Sequence, residues 1–470
     1  MSRRFRPYSP DQQLLLPPDL RDWVPEGHLS HYVSDVVDQL DLSAITGEYE
    51  KGDPRGGMPY DPAMMVKLLI YAYAIGMPSS RRIERATYDD VATRVLACDQ
   101  HPDHDSIAAF RKRHLKALAK LFVQVLKLCQ RAGLVKLGHV ALDGTKIQAN
   151  ASKHKAMSYG RMPESERRLE REVRDLLARA DARDRIDDRE FGKGVRGDEL
   201  PAELARRESR LKKIREAKAS LEAEAREDAE ADVEVAQAKI AEREEKARTT
   251  GKRAPGRAPR VPDPEQAVPD SKAQRNFTDP ESRIMLDGAT KQFVQGYNVQ
   301  AAVDGHAQVI VATGLTQAAN DVKQFVPMLK KVKENVGRLP DAASADAGYF
   351  SEANVTAPEL EGMDLYVPPD RKKHSDCDAP DYSDGAGVEQ SVEQSVKERM
   401  RKKVRSAAGH ELYRMRKAIV EPVFGQTKEV RRFRRFSLRG LENVTAEWDL
   451  ICLTHNVLKL FRAGARLAYS

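Results

Sequence analysis

The stretch at residues 140–152, with the sequence VALDGTKIQANAS, constrains the fold more than any other part of the chain. Its apolar start is typical of a buried β-strand, and Asp143 closes that run. Gly144 and Thr145 predict a turn directly after the acid. A carboxylate at the end of a core strand is costly to desolvate unless a positive charge pairs with it. The residues leave two interpretations open: a ligand of a divalent metal ion, or an acid that opens a turn beside glycine.

Composition limits the classes of protein to consider. The chain has 470 residues, of which 40% are hydrophobic and 32% are charged, so two or three domains are expected. No apolar run approaches the roughly 18 residues of a membrane span, and no signal-peptide core is present, which predicts a cytoplasmic protein. The four cysteines form no CxxC pair, which argues against a disulfide framework or a zinc ribbon. The net charge of +7 is compatible with a polyanionic partner.

The first part of the chain, from about residue 14 to residue 135, has helical patterns throughout. Several of these helices carry clustered basic residues, among them Arg81 with Arg82 and Arg111 with Lys112. Short helices with such clusters are typical of a DNA-binding module. The alternative is a helical bundle with a solvated basic face.

The middle of the chain differs in character. Residues 153–249 are rich in Glu, Arg, Lys and Ala, with apolar positions at helical spacing, and they predict a helical hairpin or coiled coil. Such a segment is more often a spacer or an oligomerisation arm than a catalytic part. Residues 251–277 are rich in proline and basic residues, as in a linker.

From about residue 278 the pattern predicts strands followed by helices. A β-hairpin with its turn at Asp304 and Gly305 comes first, then a helix, then a short strand that ends at Asp346. A further strand and helical segments follow. With the middle segment removed, this order predicts a mixed sheet of five strands, of the α+β or α/β class, with Asp143 and Asp346 on neighbouring strands. Glu421, on a later helix, is the candidate third acid of a site for two divalent ions.

Several motifs in a fixed order carry a resemblance to a known family. They are VPEGHL (24–29), YDPAMMVKLLIYAYAIGMPSSRRIERA (60–86), FRKRH (110–114), LDGTKIQANAS (142–152), ADAGYF (345–350) and VEPVFGQTK (420–428). The chain resembles bacterial insertion-sequence DDE transposases, with an InsH-like N-terminal helical domain and an RNase H-like catalytic domain that a long charged helical hairpin interrupts. The resemblance implies that Asp143, Asp346 and Glu421 form the catalytic triad. It also implies that this triad binds two Mg²⁺ ions, with Mn²⁺ as an alternative.

The same resemblance assigns the domains. It implies a DNA-binding domain at 1–135, a catalytic domain at 136–152 and 278–465, a hairpin insertion at 153–250 and a linker at 251–277.

A phosphate-contacting set is expected around Glu421. The resemblance implies Tyr413, an arginine, and Lys428. Helix geometry places Arg414, Lys417 and Lys428 within roughly 60° of Glu421 and leaves Arg416 outside, so the residue that assists Glu421 stays open. Pro422 is expected to kink or restart the helix.

Two further groups of residues are singled out by their pattern. The run VRRFRRFSLR (430–439) predicts DNA contacts through Arg431, Arg432, Arg434 and Arg435, with a solvated helix end as the alternative. Asn320 and Asp321 are interpreted as a helix cap, or as a pair beside the acidic site.

These observations predict a transposase that binds the terminal repeats of its element and cuts and joins DNA. Its partners are double-stranded transposon ends and target DNA, no membrane is involved, and synapsis of two ends predicts a homodimer at the nucleoid. The alternatives are an inactive protein that only occupies the repeats and an RNase H-like nuclease without strand transfer.

Overall fold

The computed structural model describes most of the chain and has a mixed α+β fold. The described residues are 19–50, 58–191, 201–250, 256–288, 290–370 and 395–464. Contacts between Cα atoms divide the chain into two compact units. The first comprises 1–147, 298–438 and 442–470, and the second comprises 148–297 and 439–441. The predicted domain boundary at 135/136 falls inside the first unit, so the separation of a helical and a catalytic domain stays a prediction.

The first unit begins with helices, as the sequence predicts. They are α1 (Leu29–Asp38), α2 (Ser43–Glu50), α3 (Pro62–Ala74), α4 (Ser80–Asp89), α5 (Val91–Leu96), α6 (His104–Arg113) and α7 (Leu115–Arg131). Helix α3 starts where the Asp61 side chain accepts a hydrogen bond from the backbone N–H of Met64, with Pro62 in the first turn. Ten of its thirteen residues are buried, which makes α3 the central helix of this part.

A mixed sheet lies at the centre of the first unit. Its strands are β1 (His139–Gln148), β5 (Phe293–Asp304), β6 (Ile310–Thr316), β7 (Ala342–Ser344) and β8 (Asp364–Tyr366). Their order across the sheet is β6-β5-β1-β7-β8, and a sixth strand, β4 (Arg283–Leu286), pairs with the first part of β5. Strands β5 and β6 are antiparallel, whereas β1 with β7 and β7 with β8 are parallel. The predicted hairpin and the mixed character of the sheet are therefore confirmed, whereas the predicted number of five strands is wrong, because the described residues form a sheet of six.

The predicted turn after Asp143 is wrong. Strand β1 continues through Gly144 and Thr145 to Gln148. Glycine is compatible with a turn and also with a close approach of another chain segment to a strand. Here a Cβ on Gly144 would lie only 2.4 Å from Nε2 of Gln300, so close packing explains the residue.

The remaining helices of the first unit surround the sheet. They are α10 (Phe325–Val336), α11 (Glu352–Val355), α12 (Val396–Arg405), α13 (Ala407–Gly425) and α14 (Leu441–Arg462). Helix α13 runs on through Pro422, so the helix does not restart there, and a π-helical turn (Gln426–Val430) follows it directly. Helix α14 is buried on almost all sides over residues 446–458, which makes it the core helix of the C-terminal part.

The second unit contains the predicted helical hairpin. Its helices are α8 (Met162–Phe191) and α9 (Pro201–Thr250), and its strands are β2 (Ala156–Ser158), β3 (Gln274–Asn276) and β4 (Arg283–Leu286). The two helices are antiparallel, because Glu166 pairs with Arg215 whereas Glu172 pairs with Arg207. A small apolar cluster joins them, formed by Met162, Leu169, Leu211, Ile214, Ala217 and Leu221. Of the predicted linker, residues 251–255 lie outside the described residues.

Within the described ranges, every helix is too short or too polar to cross a lipid bilayer.

A buried glutamate on α14 generates a prediction about stability. Glu447 accepts backbone hydrogen bonds from Ser437 at 3.0 Å and Leu438 at 3.0 Å, and a third hydrogen bond from the hydroxyl of Tyr73 at 3.3 Å. Glu447→Ala leaves these donors without an acceptor, so we expect the free energy of unfolding to fall by about 2–4 kcal/mol. Urea denaturation measures this change.

Glu442 on the same helix provides the control. Its carboxylate pairs with Lys116, but both side chains are largely exposed. Glu442→Ala should leave the urea midpoint nearly unchanged because exposed ion pairs contribute little. Equal destabilisation by the two variants would contradict the role assigned to Glu447.

Candidate active site

Two aspartates meet at the centre of the sheet. Strands β1 and β7 are parallel, with Ala141 opposite Ser344. Asp143 lies two residues beyond Ala141 within β1, and Asp346 lies two residues beyond Ser344, the last residue of β7. Neighbouring strands are about 4.8 Å apart, and the charge of Asp346 raises the pKa of Asp143, so the two carboxylates belong to one patch. The two strands are neighbours, as predicted, but Asp346 lies at the start of the following 3₁₀ turn (Ala347–Tyr349) and not on β7 itself.

The environment of Asp143 disfavours its charged form. Burial raises the pKa of Asp143 to about 6, and the negative charges of Asp346 and Asp321 act in the same direction. The guanidinium of Arg416 opposes them and lowers the pKa. Asp143 is therefore held in a patch where negative charge accumulates.

Arg416 is the cationic partner of this patch. Its Nη1 lies 3.2 Å from Oδ2 of Asp143, and only 8% of its side chain is exposed. The ring of Tyr413 lies beside it, with its centroid 5.7 Å from the guanidinium carbon. The side chains of Arg414 and Lys417 are exposed on the same helix. Among the three basic residues that the sequence left open, Arg416 is therefore the one that contacts the aspartates.

Glu421 lies on α13 but is not gathered with the two aspartates. Its side chain is exposed. Five residues separate it from Arg416, and at about 100° per residue this turns the two side chains roughly 140° apart. Among the described residues, no group of three or more His, Cys, Asp or Glu side chains is arranged to hold a metal ion.

The donor atoms nevertheless suit a divalent cation. Carboxylate oxygens are the hard ligands that Mg²⁺ and Mn²⁺ prefer, and both Asp143 and Asp346 provide them. A cation between them would also reduce the repulsion that raises the pKa of Asp143. The carboxylate oxygens that these two residues provide are therefore of the type that such an ion binds.

Lys428 approaches the same strand from the π-helical turn. Its Nζ donates a hydrogen bond of 2.6 Å to the hydroxyl of Thr145, two residues beyond Asp143. Alternate residues of a strand point to the same side, so Lys428 and Arg416 reach one face of β1. This face combines two acids with two cations.

The arginines that follow α13 differ in their exposure to solvent. Arg432, Arg434 and Arg435 are exposed, and Arg434 pairs with Glu429. Arg431 is buried, and its guanidinium donates to the carbonyl of Ile451 at 3.1 Å. A DNA contact therefore stays a prediction for the three exposed arginines. For Arg431 it is wrong, because the side chain is buried and its guanidinium forms hydrogen bonds inside the protein.

The basic residues of the N-terminal helices divide in the same way. Arg81, Arg82 and Lys112 are exposed. Arg111 is buried, and its Nη1 donates to the carbonyl of Pro78 at 2.6 Å and to the hydroxyl of Tyr73 at 3.1 Å. Its guanidinium is thus used inside the protein.

Four residues near the aspartates form a hydrogen-bonded group that the sequence does not reveal. Asp321 accepts hydrogen bonds from the side chains of Asn298 and Gln300, and the hydroxyl of Tyr349 donates to Gln300. Asp321 occupies the N-cap position of the turn that follows, but its side chain makes no cap hydrogen bond. Its charge raises the pKa of Asp143, which favours the alternative interpretation, a place beside the acidic site. The signal available in the sequence was the pair of amide side chains at alternate positions, Asn298 and Gln300, in a segment whose other residues from 299 to 303 are small or apolar.

Comparison with known families identifies two regions of the chain. Residues 270–457 match the family described as Transposase DDE domain, and residues 18–113 match the family described as Transposase domain (DUF772). The first match includes Asp346 and Glu421 but begins after Asp143. Searches of curated proteins and of solved structures returned no significant match. The two matched regions, in this order, show that the chain belongs to the DDE transposases of insertion sequences.

Proposed function

We propose that this protein binds the terminal inverted repeats of its insertion sequence and performs metal-dependent DNA cleavage and strand transfer. The observation that carries the proposal is the parallel pairing of β1 with β7, which brings the segments that contain Asp143 and Asp346 next to each other. The match of residues 270–457 to the Transposase DDE domain supports the same chemistry.

The arrangement of the strands supports an RNase H-like catalytic domain. An antiparallel pair, β5 and β6, continues into the parallel set β1, β7 and β8. Asp143 lies on β1 of the central parallel pair, and Asp346 lies two residues beyond the end of β7. In open sheets of this kind, ligands bind beyond the carboxyl ends of parallel strands.

Each proposed site residue has a role that its chemistry supports. Asp143, Asp346 and Glu421 would hold divalent cations, as DDE domains generally do. Such ions lower the pKa of bound water and stabilise charge on a phosphodiester. Glu421 lies between Arg416 and Lys428 along the chain, and both of these reach β1. Its helix is thus already against the strand of the first acid.

The proposed DNA contacts are the cations close to the acidic patch and the exposed basic residues beyond it. Arg416 and Lys428, with Tyr413, would contact the phosphates near the site of cleavage. Exposed side chains would bind DNA further away, and they are Arg81, Arg82, Lys112, Arg414, Lys417, Arg432, Arg434 and Arg435. We place this activity at the nucleoid, with two copies of the chain joining two transposon ends.

The central prediction separates cleavage from binding. Asp143→Asn, Asp346→Asn and Glu421→Gln remove one carboxylate each, so we expect cleavage of repeat-ended DNA to fall about 1,000-fold, or roughly 4 kcal/mol. Binding of the same DNA in a gel-shift assay should change less than threefold.

Exposed acids away from the patch provide matched controls for these variants. Asp341→Asn and Glu359→Gln should cleave at the wild-type rate. Wild-type protein that binds repeats without cleaving them would favour the inactive binder, and cleavage without joining of pre-cut ends would favour a nuclease. Full activity of Glu421→Gln would exclude that residue from the triad.

A second prediction concerns the pH dependence of metal binding. The pKa of Asp143 is raised to about 6, so a proton and a cation compete for this carboxylate below that pH. We expect the apparent affinity for Mn²⁺, measured by calorimetry, to fall by up to about tenfold per pH unit below pH 6. Asp143→Asn should lose this dependence. An unchanged pH profile in that variant would show that another group controls binding.

A third prediction concerns the exposed arginines after α13. Each DNA phosphate neutralised by a cation contributes about 0.9 to the slope of log affinity against log salt. Arg432→Ala combined with Arg435→Ala should therefore reduce that slope by about 2. Lys330→Ala, an exposed cation paired with Glu359, is the control and should leave the slope unchanged. Equal slopes for all three proteins would exclude these arginines from the DNA contact.

A further inference from the structure

Asp321 occupies the position of a helix cap, but its side chain does not make the hydrogen bond of a cap. It precedes a short 3₁₀ turn (Val322–Gln324), and its side chain makes no hydrogen bond to that turn. Its Oδ1 instead accepts from the amide of Asn298 at 2.6 Å and from the amide of Gln300 at 2.7 Å. Both donors lie on β5, the strand next to β1. A local role in starting the helix therefore does not explain this carboxylate.

The side-chain amide of Gln300 links Asp321 to the turn that follows the second catalytic aspartate, Asp346. Its oxygen accepts a hydrogen bond from the hydroxyl of Tyr349, a side chain that is 1% exposed. Tyr349 belongs to the 3₁₀ turn (Ala347–Tyr349) that directly follows Asp346. The backbone carbonyl of Gln300 accepts from the indole of Trp448 at 3.1 Å, which fixes the strand below. A chain of hydrogen bonds thus joins Asp321 to the turn that carries Asp346.

The space around Asp321 depends on two glycines. A Cβ on Gly144 would lie 2.9 Å from Oδ1 of Asp321 and 2.4 Å from Nε2 of Gln300. A Cβ on Gly348 would lie 3.0 Å from Oδ1 of Asp346 and 3.7 Å from Oδ2 of Asp321. Neither glycine has a positive φ, so backbone conformation does not explain why glycine occurs at these positions. The explanation is the lack of space for a side chain. One glycine follows each catalytic aspartate, and the Asp321 carboxylate lies close to both.

We propose that Asp321 is a positioning residue of the catalytic centre. It holds the Gln300 amide, and through Gln300 and Tyr349 it fixes the turn of Asp346 against the strand of Asp143. This inference rests on the proposed function, because it assigns Asp321 a part in the same DNA cleavage. A purely structural residue would instead affect stability and leave the chemistry of the folded enzyme unchanged.

The test compares two substitutions of Asp321 in the full-length protein. Asp321→Ala removes both hydrogen bonds, so we expect kcat for cleavage of repeat-ended DNA to fall about 100-fold with KM for DNA within threefold of wild type. Asp321→Asn keeps an oxygen acceptor at the same place and should restore most of the lost kcat. Affinity for Mn²⁺ alone, measured by calorimetry, should weaken in the alanine variant and recover in the asparagine variant.

Two controls exclude a general loss of folding. Asp449→Asn alters another buried aspartate of the same unit, whose carboxylate accepts from Thr313 at 2.5 Å, and should change the melting temperature without changing kcat. Gly144→Ala should reproduce the loss seen in Asp321→Ala because its methyl group displaces Gln300. Gly138→Ala, at the start of the same strand, should be neutral because a Cβ there contacts nothing within 4 Å.

The outcomes separate this inference from the proposed function. Wild-type kcat in Asp321→Ala would overturn the positioning role while leaving the proposed activity intact. An asparagine variant as inactive as the alanine variant would also overturn it, because a carboxylate that binds the cation directly would then be required. Absence of metal-dependent cleavage by the wild-type protein would overturn the proposed function itself.

Discussion

The structure depends on a patch of negative charge on and beside strand β1, formed by Asp143, Asp346 and Asp321. The negative charges of Asp346 and Asp321 both raise the pKa of Asp143 on β1. Neighbouring like charges are unfavourable when water is partly excluded. Arg416 offsets part of this repulsion through its contact with Asp143. A buried ion pair of this kind adds little net stability, since desolvation opposes the attraction, so stability alone does not account for it.

Buried hydrogen bonds and ring contacts join the framework around this patch. Helix α14 fixes β5 through the hydrogen bond from Trp448 to the carbonyl of Gln300. Through Glu447 the same helix is bonded to Tyr73 of α3 and to the backbone at Ser437. The ring of Tyr73 in turn stacks on Phe433, with 5.6 Å between ring centroids. The helices that precede the sheet and those that follow it are thus joined in one core, which keeps the strands of the two acids in register.

Much of the fold could be predicted because its signals are local. The apolar run before Asp143, the Asp-Gly turn at 304–305 and the small-residue strand before Asp346 each determine structure within a few residues. The continuation of β1 beyond Asp143 could not be predicted. Gly144 is equally compatible with a turn and with close packing, and only Gln300, more than 150 positions later, decides between them.

The same reasoning explains why the partners of Asp321 could not be predicted. An Asp before a helix is usually its cap, so the sequence supports that interpretation as well as a place beside the acidic site. Its actual partners, Asn298 and Gln300, lie on another strand, and no spacing rule connects them. The buried arginines were misjudged for a related reason. Arg111 and Arg431 have the spacing of surface cations, but tertiary contacts with Pro78 and Ile451 place them in the core.

Helix α13 shows how helical spacing determines which side chains reach a site. A helix that presents Arg416 to Asp143 directs Glu421 roughly 140° away, and the Glu421 side chain is exposed. An angular comparison centred on Glu421 excludes Arg416, which is why the sequence left this arginine outside the set. The π-helical turn that follows the helix brings Lys428 back to the same strand. The helix and its turn therefore bring two cations to β1, one on each side of Glu421 along the chain.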